Sequence, residues 1–257
     1  MASIVVRGRG IPILVWSFLN QDYDEYGSRS KVEDAFVREL KRLLPQSPRP
    51  QTIVIIADRG FARADLFNLI HEQGLHYCIR VKGSVYIWQD DNLCYLYCVT
   101  VKPGERLLWR DVDYPYSRAV HLTRLAATCA PPKIGKATDP WFLTSSLPWS
   151  ANRLIDLYAK RMLIEEDFKT AKTDLNWKHS RIRKLLHYRR FVLLMVTCLV
   201  FSMLLGTSVQ RKPALIAHII RTRKGRWDSC VTRIGLLLLQ NDMANINYLE
   251  LMRRLPA

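Results

Sequence analysis

Six apolar, mostly β-branched residues, Thr52-Ile53-Val54-Ile55-Ile56-Ala57, run straight into Asp58-Arg59-Gly60-Phe61. A strand with one wet face alternates apolar and polar side chains, whereas a short unbroken run belongs to a strand covered on both faces. Such a strand needs a layer on either side, and the sequence after it supplies material for one. Residues 62–73 read as a helix, Gly74 suits its C-terminal end, and residues 75–81 form the next strand. Strand, helix, strand in succession points to an α/β fold. The run also ends in a carboxylate. An ionised carboxyl group at the end of a buried strand loses hydration and needs a partner, which can be a bound cation, Arg59, or the backbone N–H groups of the turn it caps.

The flanks extend the pattern. Residues 3–6 and 11–18 are apolar runs separated by Arg7-Gly8-Arg9-Gly10, a strand, a glycine turn and a strand. A chain that opens inside a sheet either starts at an edge strand or is preceded by more of the same fold. Ser30 and Glu33 form a capping box for a helix with Val32, Ala35, Phe36, Leu40, Leu43 and Leu44 on one face, and Pro45 and Pro48 stop it. From Gly83 to about Ser145, Tyr, Trp, Val, Asp and Pro dominate without helical period. Ser150 then caps a long helix from Ala151 to about Lys172, and helical patterns fill the remainder, with a break at Pro213 and a turn at Lys224-Gly225. The expected organisation is a core in two parts, residues 1–82 and 146–210, a β-rich insertion at 83–145, and a helical C-terminal region at 211–257.

A chain of 257 residues with 49% hydrophobic residues can bury a full core. Its formal charge of +16 attracts polyanions, which leaves nucleic acid or an anionic membrane surface as partner. Residues 191–209 carry no charge and reach the minimum length for a membrane span, about 19 residues. They include Thr197, Cys198, Ser202, Gly206, Thr207 and Ser208. Arg189 and Arg190 precede them and Arg211 and Lys212 follow, so no charge asymmetry orients a span. The expectation is a buried core helix, no membrane and, with no signal peptide, a cytoplasmic protein. The six cysteines form no CxxC pair and read as reduced thiols.

Tyr158, Arg161, Glu165 and Lys172 stand at offsets of 0, 3, 7 and 14. At about 100° per residue they fall within roughly 60° of one another on one helix. A polar stripe of this kind is either a solvated face with an Arg161–Glu165 ion pair or a surface that meets a charged ligand.

This spacing is identical to the YREK signature of DDE transposases in the insertion-sequence-four family, and Asp-Arg-Gly-Phe after the buried strand resembles that family's second-aspartate motif. The resemblance covers about residues 11–190. It implies an RNase H-like, retroviral-integrase-like mixed sheet with helices, interrupted by a β-rich insertion and followed by a helical C-terminal part. It implies that carboxylates hold two divalent metals, Mg²⁺ or Mn²⁺, for phosphodiester hydrolysis and strand transfer. Asp58 would be the second of three catalytic, metal-binding carboxylates and Glu165 the third. Tyr158, Arg161 and Lys172, with Arg59 in the aspartate motif, would contact DNA, and Trp141 would be the aromatic on which relatives stack a flipped base. The implied partners are double-stranded DNA, as transposon inverted-repeat ends and target, and a second copy of the chain in a synaptic complex at the nucleoid.

One part of the family pattern is missing. The first carboxylate belongs on a strand upstream of residues 11–18, and Asp22 and Asp24 lie in a polar loop after them. The expectation is therefore an N-terminally truncated transposase that cuts no DNA alone, or a non-catalytic DNA-binding remnant. Two basic runs, His179, Arg181, Arg183, Lys184, His187, Arg189 and Arg190, then Arg221, Arg223, Lys224, Arg226 and Trp227, either line a DNA path or are solvated faces.

Overall fold

The computed structural model describes residues 1–6, 9–17, 26–44, 52–129, 139–175, 177, 180–210, 222–223, 226–227 and 231–240. Asp22, Asp24, His179, Arg221 and Lys224, the Arg7-Gly8 turn, Pro45, Pro48 and Pro213, and most of the C-terminal region lie outside the described residues. The chain forms two compact units, Met1–Asp22 with Met162–Ala257, and Tyr23–Arg161.

The first unit opens with β1 (Ala2–Val6) and β2 (Arg9–Leu14), an antiparallel pair with Ile4 opposite Ile11. The second strand is shorter than the apolar run because the strand ends at Leu14.

In the second unit α1 spans Arg29–Leu43. Its N-cap is Ser28, two residues before the expected Ser30, with Ser28 Oγ accepting from Lys31 N at 3.3 Å. Glu33 is diverted from the capping box by arginines: Arg29 Nε donates to its Oε1 at 2.9 Å, and Arg63 Nε lies 3.6 Å from its Oε2. The buried run becomes β3 (Val54–Ala57), followed by a single 3-10 turn at Arg59–Phe61, α2 (Ala64–Glu72) and β4 (His76–Val81). Gly74, at φ +65°, takes the left-handed conformation that ends α2. The β-rich segment supplies β5 (Tyr86–Gln89), β6 (Asn92–Tyr95), β7 (Arg106–Tyr114), β8 (Val120–Thr128) and β9 (Trp141–Ser145).

All seven strands join one mixed sheet in the order β3-β4-β9-β8-β7-β5-β6. Only β3 and β4 run parallel, with Ala57 opposite Ile79; the other pairs are antiparallel. The β-rich segment is therefore continuous with the α/β part through β9, which pairs with β4 and sets Leu143 opposite Arg80. Period-two alternation divides the side chains between two cores. Ile55, Ala57, Ile79, Val81 and Phe142 join α1 and α2 on one face. Val54, Ile56, Cys78, Leu143 and Trp141 lie on the other, under α3 (Ala151–Ala159).

Ser150 caps α3 as the sequence predicts, its Oγ accepting from Arg153 N at 3.4 Å. Ala151, Leu154, Ile155 and Tyr158 recur at helical spacing and are buried against the sheet. The expected single helix to Lys172 is two helices. Lys160 N donates to Leu157 O at 3.1 Å and Arg161 N to Tyr158 O at 2.9 Å, tight three-residue closures that end α3 before α4 (Met162–Thr173) begins. The single helix expected from Ala151 to about Lys172 is thus corrected to two, α3 carrying Tyr158 and α4 carrying Glu165 and Lys172.

The rest of the first unit comprises α4, α5 (Leu185–Gln210), the short antiparallel pair β10 (Thr222–Arg223) and β11 (Arg226–Trp227), and α6 (Val231–Gln240). Ala171 packs with Met195 and Leu199 of α5. By length and composition residues Leu185–Ser208 could cross a membrane, and 39% of the apolar window is buried. The core-helix reading fits one side, where Val192, Met195, Leu199, Met203 and Leu205 are buried; Leu193 and Leu194 are exposed. No disulfide joins the described cysteines, Cys78, Cys94, Cys98, Cys129 and Cys198, to one another.

Candidate active site

Asp58 follows the last residue of β3, and alternation from Val54 and Ile56 puts it on the α3 side of the sheet. It caps the 3-10 turn: Oδ1 accepts from Arg59 N at 2.7 Å, and Phe61 N donates to Asp58 O at 2.9 Å. Capping does not exhaust the carboxylate, whose side chain is 45% exposed. Tyr158 Oη donates to Oδ1 at 3.4 Å, and Arg161 Nη1 stands 3.9 Å from Oδ2. The Arg161 side chain is 18% exposed, so this weak ion pair is partly withdrawn from solvent.

Tyr158 is an anchor. It is 2% exposed, inside the core between α3 and the sheet. Its ring meets Trp141 edge-on at 5.4 Å between centroids, and the Arg161 guanidinium lies 5.6 Å from its centroid. Burial pushes its phenol up to about 12, with Arg161 opposing the rise and the Asp58 charge adding to it. At neutral pH it is therefore an uncharged phenol, which donates to Asp58 and accepts from Arg161.

Arg80 belongs to the same group. It shares the Cys78 side of β4, sits opposite Leu143, and reaches over Trp141 at 5.8 Å from the ring centroid. Its Nε is buried with no hydrogen-bond partner among the described residues. A buried guanidinium nitrogen in want of an acceptor is a group that a phosphate oxygen satisfies. The sequence reading passes over Arg80. The signal was there, a single cation inside the apolar strand His-Tyr-Cys-Ile-Arg-Val.

Asp58, Tyr158, Arg161, Trp141 and Arg80 thus meet within one unit, brought from β3, the end of α3, β9 and β4. Arg59 is exposed beside them. Glu165 and Lys172 lie exposed on α4, in the other unit. Arg181, Arg183, Lys184, His187, Arg189 and Arg190 are all exposed, and Arg189 Nε donates to Ser17 O at 3.1 Å. Among the described residues no three His, Cys, Asp or Glu side chains converge. Asp58 and Glu165 each carry hard carboxylate oxygens of the kind Mg²⁺ and Mn²⁺ prefer.

Residues 17–201 match the family model described as Transposase DDE domain. A search of curated proteins found none that matches the chain.

Proposed function

The chain belongs to the DDE transposase-domain family, and from that premise we propose that it is the catalytic-fold portion of an insertion-sequence-four transposase with an RNase H-like core, Tyr158, Arg161, Glu165 and Lys172 being its signature. The observation that supports this most is the meeting of Asp58 with Tyr158 and Arg161 across a hundred positions of sequence. Two motifs that have no local reason to touch share one carboxylate.

The residues suggest how DNA is held. Arg161 stands at 3.9 Å from Asp58, beyond the roughly 2.7–2.9 Å of a charge-assisted hydrogen bond, so the pair is easily exchanged. A DNA phosphate entering the site takes the Arg161 guanidinium and the free Arg80 nitrogen, and leaves Asp58 Oδ2 open. Tyr158, neutral and fixed in the core, keeps the carboxylate turned toward the site. Lys172 and Arg59 add phosphate contacts, and Trp141 offers the face for an unstacked base. In family chemistry a pair of Mg²⁺ or Mn²⁺ ions activates the attacking oxygen. Asp58 and Glu165 would be two of the ligands here. The division into a core at 1–82 and 146–210, an insertion at 83–145 and a C-terminal region at 211–257 is kept as part of the proposal. So are a homodimeric synaptic complex and a cytoplasmic, nucleoid-bound location without membrane insertion.

Incubating the purified chain with Mg²⁺ and a duplex carrying the ends of the DNA element around its own reading frame tests this. Salt-dependent binding of the duplex is expected. Mg²⁺-dependent cleavage supports the catalytic reading, and binding without cleavage favours the second reading, a non-catalytic DNA-binding remnant. Failure to bind overturns both.

A further inference from the structure

The first unit holds an open cleft of about 450 Å³, lined by Glu165, Phe168, Lys169, Lys172, Thr173 and Trp177. Its composition is unusual for a solvated helix face. Two aromatic rings stand beside two lysines. Phe168 and Trp177 lie 6.1 Å apart at 32° between ring planes, and both are half-buried. Trp177 is fixed from two sides: it packs on the Ala171, Met195 and Leu199 core, and its Nε1 donates to Tyr188 Oη at 3.1 Å. An indole whose polar edge is already satisfied can offer only its face to a ligand. Lys172 Nζ lies 6.0 Å from the Phe168 centroid, so the lysine occupies that ring, and Lys169 pairs with Glu166 at 3.9 Å with both side chains well exposed. The Thr173 hydroxyl is spent on Lys169 O at 2.8 Å.

We infer that this cleft is a stacking subsite for one unpaired nucleobase of a DNA strand, with the base on Trp177 and its flanking phosphates on Lys172 and Lys169. The inference rests on the DNA-processing reading above and adds a base-binding position distinct from Trp141. The ring separation fixes the mode of binding. A base between two rings needs roughly 6.8 Å, twice the 3.4 Å stacking rise, and the pair stands closer than that. The base therefore lies against the part of Trp177 that lines the cleft rather than between the two rings. Stacking of this kind tolerates any base, because every base has a π-face, and the lysines supply charge without sequence preference. The cleft volume is within the range that small-molecule sites occupy, about 300–1,000 Å³.

The test leaves the protein untouched in its first arm. The full chain is titrated with two short single-stranded oligonucleotides of equal charge, one of thymidines and one in which the bases are replaced by abasic sites. The thymidine strand is expected to bind about tenfold tighter, toward the low end of what one stacked base contributes. In the second arm Trp177→Leu, which keeps an apolar side chain in the core, lowers binding of the thymidine strand toward that of the abasic strand. It leaves the abasic strand unaffected; a melting curve establishes that the variant is folded. A 2-aminopurine placed in the strand is quenched by the parent and not by Trp177→Leu. Equal binding of the two strands overturns the subsite while leaving DNA binding intact. Failure to bind either strand, or duplex DNA, overturns the functional reading with it.

Discussion

Tyr158 is where fold and site are joined, and replacing it separates the two roles. Tyr158→Ala removes a ring that is 2% exposed and stands edge-on to Trp141. The cavity and lost burial cost about 3–5 kcal/mol, of which an aromatic pair accounts for about 0.5–1.5 kcal/mol. Tyr158→Phe keeps the ring and removes one hydrogen bond of 3.4 Å to a half-exposed carboxylate. A neutral donor to a charged acceptor is worth more than a neutral pair, but this bond is long, so the loss is about 0.5–1 kcal/mol. With about 2–4 °C per kcal/mol for a chain of this size, the melting temperature falls by roughly 6–20 °C for alanine and about 1–4 °C for phenylalanine. Circular dichroism at neutral pH reads both. A pH series gives an independent arm. The phenol's folded value, about 12, lies above its ordinary value of 10.0. The raised value means that the neutral form is favoured in the fold. Its stabilisation is complete below pH 10.0 and is lost as pH rises toward about 12. The difference in stability between parent and Tyr158→Phe should therefore shrink or invert over that interval. Equal melting of the alanine and phenylalanine variants refutes the anchoring role. Titration of the phenol near its ordinary value refutes the burial on which it depends.

Three further outcomes are expected. Gly235→Ala should cost about 1–3 kcal/mol or more by urea denaturation, because a Cβ on that face of α6 runs into the Ser202 carbonyl of α5, and backbone cannot yield as a side chain does; an unchanged midpoint contradicts this close helix contact. Neutral-pH alkylation followed by mass spectrometry should modify the exposed Cys98 and Cys198 in the native chain and spare Cys78, whose thiol is buried, donates to Leu154 O at 3.7 Å and is pushed up to about 12 by burial; early modification of Cys78 is the contrary result. Recovery in the soluble fraction without detergent is expected, and a requirement for detergent overturns the core reading of α5.

The parts of the fold that follow local rules were legible. The run ending in Asp58 became β3, Gly74 ended α2, and Ser150 capped α3, because each depends on a few neighbouring residues. Tertiary competition decided the rest. Glu33 leaves the expected capping box for Arg29 and Arg63, and the cap shifts to Ser28. Nothing in the residue types at 158–172 announces the turn at Lys160 and Arg161, so one helix was expected where there are two. Arg80 escaped notice because its meaning lies in the strand register, which sets it opposite Leu143 and near Trp141. The β-rich segment was recognised, but its continuity with β4 is a matter of long-range pairing that composition does not carry.

The central claim is that Arg161 and Asp58 form one phosphate-binding site in which the carboxylate competes for the guanidinium. Salt-dependent binding of a labelled duplex by three proteins tests it most directly. Arg161→Ala is predicted to weaken binding on the order of tenfold and to lower the salt slope by about 1, the loss of one phosphate contact. Asp58→Ala, without Mg²⁺, is predicted to strengthen binding, since it removes a negative charge from the phosphate's place. Unchanged affinity and slope for Arg161→Ala, or weaker binding for a folded Asp58→Ala, contradicts the account.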